Sequence, residues 1–173
     1  GWSAWTGVCL GDVFKYLGVK QDAVYVAYYG ADKHLSGNPK KSPISRGFPI
    51  EKAYDPETII AWAMNGNDIP LANGYPLRLI CPGFPGSTSG KWLERISIRN
   101  QVHDGTKMGG YAYRLPCNPV APGEKPTPDE MCIIEEMPVK SLITYPKNDL
   151  EIKEGEAFHI RGKAWSGSGF VSK

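Results

Sequence analysis

Apolar residues at Leu10, Val13, Phe14 and Leu17 recur at intervals of three and four, the spacing that lines one face of a helix. Asp12 stands in the first turn and Gly18 follows the last apolar position, so the pattern predicts one short amphipathic helix over 10–17. The next run, 24–29, is rich in Val, Tyr and Ala and suits a buried strand. A polar loop over 33–45 follows, carrying Gly37, Asn38, Pro39 and Pro43, and a loop of that length is often functional. Asp55-Pro56-Glu57 reads as a turn and Ile59–Met64 as a strand. Asn65-Gly66 is a hairpin signal, with the return running through Ile69 and Leu71. Two more strands are expected at 77–81 and 93–98, the second with Ile96 and Ile98 alternating. The stretch between them, Cys-Pro-Gly-Phe-Pro-Gly-Ser-Thr-Ser-Gly-Lys at 81–91, is therefore a loop anchored at both ends in the core.

Further on, 114–128 is dense in proline and is expected to be irregular. After Met137-Pro138 the texture changes to a half-exposed sheet over 139–144 and 156–165, with a turn at Lys153-Glu154-Gly155. In the second segment Phe158, Ile160, Gly162 and Ala164 alternate with His159, Arg161 and Lys163. Such strands look like the opening of a β-sandwich, which needs about seven.

Composition narrows the class. Twenty glycines and fifteen prolines leave few segments long enough for a helix. The 41% apolar content is enough for a core. Twenty basic against eighteen acidic residues, with no basic run beyond Lys40-Lys41, give no nucleic-acid surface. No apolar stretch approaches the ~20 residues of a membrane span. Cys9, Cys81, Cys117 and Cys132 form no Cys-x-x-Cys pair, and all four are expected as buried or half-buried thiols. His34 and His103 lie in polar segments and His159 on an outward strand face, without ligand spacing, so no residue is assigned to metal.

The 81–91 loop carries the chemistry. It is not a nucleotide P-loop, because Pro85 stands where the first glycine belongs and Trp92 follows Lys91. Its glycines still let backbone N–H groups approach an anion. Ser87, Thr88 and Ser89 offer hydroxyl donors, Lys91 a point charge, and Arg78, one strand away, a two-pronged guanidinium.

The stretch 64–96, with its MNGNDIPLANGYPLRLICPGFPGSTSGKWLERI, closely resembles the molybdenum-cofactor domain of the sulfite oxidase family, and within it bacterial periplasmic sulfite dehydrogenases. Further matches are WTGVCLGDVF (5–14), YYGADKHLSG (28–37), PISRGFPIEKA (43–53) and GGYAYRLP (109–116). EEMPVKSLITYPKN (135–148) and IRGKAWSGSG (160–169) resemble the start of that family's immunoglobulin-like dimerisation domain. The resemblance implies an α+β fold, with 1–134 the C-terminal part of a molybdenum-cofactor-binding domain and 135–173 the first strands of an immunoglobulin-like β-sandwich.

It implies that the loop holds the phosphate of molybdopterin, through Asp32, Asn73, Arg78, Ser89, Gly90 and Lys91. Asn73 departs from the His that many members carry there. Of Tyr111 and Tyr113, the second precedes a basic residue, Arg114, as does the family tyrosine that meets substrate, so Tyr113 is the expected catalytic residue. The family's thiolate motif near Cys-Ala-Gly-Asn does not occur here; the molybdenum-ligating cysteine is expected outside this sequence, in a longer protein.

The implied activity is oxidation of sulfite, or a similar small oxyanion, to sulfate, with electrons passed to a c-type cytochrome. The implied setting is periplasmic and homodimeric. Two alternatives remain open on the sequence: a related molybdopterin enzyme acting on another sulfur compound or nitrate, and a non-catalytic binding module.

Overall fold

The computed structural model describes residues 3–169 and 172. Strand β1 (Trp5–Cys9) leads into helix α1 (Leu10–Leu17), which ends at Gly18 with φ 75°. Only a residue without Cβ adopts that region freely, so the stop is set by residue type. β2 (Tyr25–Gly30), β3 (Gly47–Pro49) and the one-turn helix α2 (Ile50–Ala53) follow. β4 (Ile59–Met64) turns through Asn65-Gly66, both at positive φ, into the two-residue β5 (Asn67–Asp68). That is the backbone the Asn-Gly pair predicts. The expected return strand is shorter than its sequence pattern: Leu71–Asn73 forms a 3-10 turn instead. β6 (Arg78–Ile80) and β7 (Leu93–Arg99) flank the loop as expected.

Two antiparallel sheets frame the domain. β4 pairs with β1 along one edge and with β5 and β6 along the other. The second sheet has the order β3-β2-β7. Because β6 belongs to the first sheet and β7 to the second, the 81–92 loop joins them. The larger core cluster holds Leu10, Phe14, Val26, Tyr28, Phe48, Leu79 and Cys81, and a smaller one holds Ala61, Ile69 and Ile80. Burial pushes the Cys81 thiol up to about 11, so it stays neutral.

Further expectations change. The proline-dense segment is not wholly irregular: β8 (Arg114–Pro116) pairs with β9 (Met131–Ile133), after a 3-10 turn over Pro128–Glu130. Cys117 and Cys132 are not thiols but a disulfide, which clamps β9 to the residue just after β8. Tertiary pairing brought them together across 15 positions, where local spacing gave no sign. Another change is His103, which is not in a solvated turn but 3% exposed.

The His103 ring sits edge-on to Tyr29 and joins three segments. Arg99 lies 2.9 Å from its Nδ1, and a guanidinium only donates, so Nδ1 accepts and Nε2 carries the proton. That proton goes to Ser45 Oγ at 2.8 Å, whose own hydroxyl donates to the Tyr28 carbonyl. With Nε2 protonated, Ser45 has no general base, and the Ser45–His103 pair is a brace and not a nucleophile. Burial, then the Arg99 charge, holds the imidazole below its ordinary value, against a smaller opposing effect of Asp104. A group depressed in the fold stabilises it above the unfolded value of 6.5, and that contribution is lost as pH falls through the folded value. The melting temperature is therefore expected to fall as pH drops below 6.5, and less steeply in His103→Gln. Identical slopes in calorimetric melts of the two proteins would dismiss this role.

In the C-terminal segment β10 (Lys140–Tyr145) pairs with β11 (Arg161–Trp165). The second strand is shorter than expected, and His159 precedes it on exposed, non-strand chain. Backbone bonds from Met137 to the Gly83 carbonyl and from Gly167 to the Met137 carbonyl tie this segment to the foot of the 81–92 loop.

Candidate cofactor pocket

Strand β6 alternates: Leu79 points into the larger core, while Arg78 and Ile80 face the sheet side occupied by Trp5. Arg78 is held there by two contacts. Its Cζ lies 5.0 Å from the Trp5 ring centroid, and Nη1 donates to the Asn73 carbonyl at 3.0 Å. Nε is buried without a partner among the described residues. Burial works against its charge, partly offset by the Tyr28 phenol, so the site gains from an incoming anion.

The loop is tied down at its base by Leu79 N–H to the Gly90 carbonyl (2.9 Å) and Leu93 N–H to the Leu77 carbonyl (2.8 Å). Its tip is a 3-10 turn over Gly86–Thr88. Gly90 lies flat on the Tyr28 ring, where any Cβ would collide with the ring carbons. The Tyr28 hydroxyl donates to the Ser87 carbonyl, so this one side chain supports both limbs of the loop from below. Burial raises its pKa far above the ordinary phenol value and keeps it a neutral donor.

The three hydroxyls in the loop divide. Thr88 is fully buried and donates to the Pro85 carbonyl at 2.7 Å, so it serves the turn and not a ligand. Ser89 accepts from Cys81 N–H at 3.0 Å and keeps its own proton free. Ser87 Oγ is buried with no partner among the described residues. Lys91 donates from Nζ to the Ala72 carbonyl at 2.7 Å and lies over the Trp92 ring. The backbone of Gly74 passes so close that a Cβ there would sit 2.9 Å from Lys91 Cα.

These elements enclose a cavity of about 220 Å³ lined by Asp32, Arg78, Ser89, Gly90, Lys91 and Tyr113 among others. Asp32 arrives there because β2 and β7 pair and Ala31 N–H donates to the Trp92 carbonyl. Five of the six residues predicted to bind cofactor thus line one cavity with the predicted catalytic tyrosine. Asn73 stands behind the wall and acts through its carbonyl on Arg78. A larger cavity, about 850 Å³, adjoins it through Asp32 and Ile44, but it lacks Arg78, Lys91 and the loop glycines. The concentrated anion chemistry is in the smaller one.

Tyr113 stands at φ 54°, a region few non-glycine residues occupy. Two anchors keep it there: Ile134 N–H donates to its carbonyl, and the Arg114 guanidinium is spent on the Met108 and Met131 carbonyls. Tyr111 lies outside the cavity, its hydroxyl on the Pro126 carbonyl. Sequence reasoning missed Trp5, Tyr28 and Arg46 as members of this neighbourhood. Their local spacing is that of ordinary core residues, and the only signal was their presence in the matched stretches. Among the described residues no group of three or more His, Cys, Asp or Glu side chains is arranged to hold a metal ion.

Residues 1–107 match the oxidoreductase molybdopterin binding domain. The chain is 30% identical to mitochondrial sulfite oxidase of Rattus norvegicus, over 95% of this chain and 30% of that protein. It is 31% identical to the NADPH nitrate reductase of Fusarium oxysporum, over 95% of this chain and 19% of that protein. The crystal structure of the sulfane dehydrogenase SoxCD from Paracoccus pantotrophus superposes with a TM-score of 0.67 at 30% identity, covering 95% of this chain and 38% of that one. The chain therefore spans less than two fifths of the length of each of these proteins.

Proposed function

The chain belongs to the sulfite oxidase family through its oxidoreductase molybdopterin binding domain, and on that premise we propose that it is part of an enzyme that oxidises sulfite to sulfate. The observation that carries this is the cavity, where Arg78, Lys91, Ser89 and Gly90 face Asp32 and Tyr113. The donor set fits a terminal phosphate. Arg78 Nε and Ser87 Oγ are orphaned donors on residues lining the cavity, and an unpaired buried donor costs about 1–3 kcal/mol until a partner arrives.

In this reading Arg78, Lys91 and Ser89 would hold the phosphate of molybdopterin, Gly90 would leave room for it, Asn73 holds Arg78, and Asp32 would accept hydrogen bonds from the cofactor. When bound, the cofactor supplies the two-electron redox chemistry of oxygen-atom transfer. The protein orients the reactants. Tyr113 donates its hydroxyl proton in a hydrogen bond to the oxyanion, fixing it and offsetting its charge. The molybdenum-ligating cysteine is proposed to lie outside this sequence, since Cys81 is buried and Cys9 Sγ is engaged with the Pro56 carbonyl.

Residues 1–134 are proposed as cofactor domain and 135–173 as the start of an immunoglobulin-like dimerisation domain. The exposed Leu142, Ile143 and Ile160 on and beside the β10–β11 pair support further packing there. A periplasmic setting is supported by the Cys117–Cys132 disulfide, a bond that persists in oxidising compartments. A c-type cytochrome is the proposed electron acceptor. The resemblance to a sulfane dehydrogenase favours a second reading, in which the substrate is a sulfane sulfur and not sulfite.

The full-length protein is expected to contain about one molybdenum and one pterin per chain, and to reduce a c-type cytochrome when sulfite is added. A well-folded protein without either group would sink the enzyme reading. One that carries both but responds only to sulfane compounds would establish the second.

A further inference from the structure

Arg46, just before β3, is 0% exposed. Its Nη2 reaches the Ile134 carbonyl at 3.3 Å, while Nε and Nη1 have no partner among the described residues. Among the described residues no carboxylate pairs with it. What faces it is aromatic: the Tyr113 ring, whose centroid is 4.6 Å from its Cζ, with the Tyr25 and Tyr28 phenols nearby. Burial and the neighbouring Arg114 both work against its charge, and the three tyrosines favour it. An apolar side chain of that size would fill the space at lower cost. The charge instead stands directly behind a ring that forms the cavity wall.

We propose that Arg46 is a positioning residue for small oxyanions: it grips the face of Tyr113 and sets a positive charge without a carboxylate partner behind the tyrosine ring. This rests on the role given to Tyr113 above. A guanidinium attracts the π face of a tyrosine, so the ring is held in its left-handed backbone position with the hydroxyl presented. The same charge, screened by protein and not by water, raises the positive potential where a sulfite-like anion docks. Arg46 touches neither cavity nor ligand and acts through the ring.

The test uses full-length, cofactor-loaded protein and inorganic sulfate as the probe, with affinity read by titration calorimetry. Arg46→Gln, which removes the charge, is expected to weaken sulfate binding at least tenfold and to raise the KM for sulfite similarly, with kcat within threefold of wild type. Arg46→Lys, which keeps the charge, should bind sulfate within threefold of wild type. Unchanged sulfate affinity in a loaded Arg46→Gln protein overturns the proposal, and so does equal loss in both variants. If Arg46→Gln does not fold, a tenfold loss in Arg46→Lys with normal molybdenum content overturns it, and retained affinity there supports it. Should wild type show no sulfite oxidation while sulfate affinity still tracks the charge at position 46, the catalytic reading fails and the Arg46 inference stands.

Discussion

Arg78→Ala is expected to lower the affinity for molybdopterin by about tenfold to a hundredfold, the equivalent of one charge-assisted hydrogen bond worth roughly 1.5–3 kcal/mol. The magnitude follows from how the side chain is already held. Trp5 lies under the guanidinium and the Asn73 carbonyl takes one of its N–H groups. Little further ordering is needed when the phosphate binds, so little of the interaction is lost to side-chain entropy. Lys91→Ala should cost less, because its ammonium is already shared with the Ala72 carbonyl. Pterin content of the purified variants, measured by fluorescence after oxidative release, provides the check. Full retention in Arg78→Ala, with the fold intact by circular dichroism, would remove Arg78 from the phosphate site.

Tyr113→Phe is expected to reduce kcat/KM for sulfite by about tenfold to a hundredfold, the same energy lost from a hydrogen bond to a charged partner. Ring volume and the stack on Arg46 are kept, so melting temperature and cofactor content should stay near wild type. Tyr111→Phe should leave turnover unchanged. Its ring is 59% exposed, and its hydroxyl is engaged with Pro126 away from the cavity. Steady-state kinetics on molybdenum-matched samples decide between the two. If Tyr111→Phe slowed turnover and Tyr113→Phe did not, the catalytic assignment would belong to the other tyrosine.

The parts of this site that were legible in the sequence are those set by neighbours in the chain. Alternation through 77–81 and 93–98 located two strands and therefore the anchored loop between them. The loop's glycines, serines and lysine suggested an anion cradle, since the backbone and hydroxyl donors there lie within a few residues of each other. The helix stop at Gly18 and the Asn65-Gly66 turn came from φ preferences of single residues, which act before any packing. The choice of Tyr113 over Tyr111 came through the resemblance, by the basic residue that follows it, and of the two it is Tyr113 that lines the cavity.

Tertiary structure decided what stands behind those residues. Trp5 under Arg78, Tyr28 under Gly90 and Arg46 under Tyr113 meet across more than sixty positions each, and local spacing holds no trace of such pairs. His103 shows the same limit from the other side. Its polar neighbours read as solvent-facing, yet Ser45 and Arg99 satisfy both ring nitrogens and let the fold bury it. Thr88 looked like a ligand donor until the 3-10 turn brought its hydroxyl within reach of Pro85. Cys117 and Cys132 became a disulfide because β8 and β9 pair, a pairing the prolines concealed. Residue type along the chain set which groups could bind an anion; burial and contact, which depend on segments far apart in sequence, set which of them are free to do so.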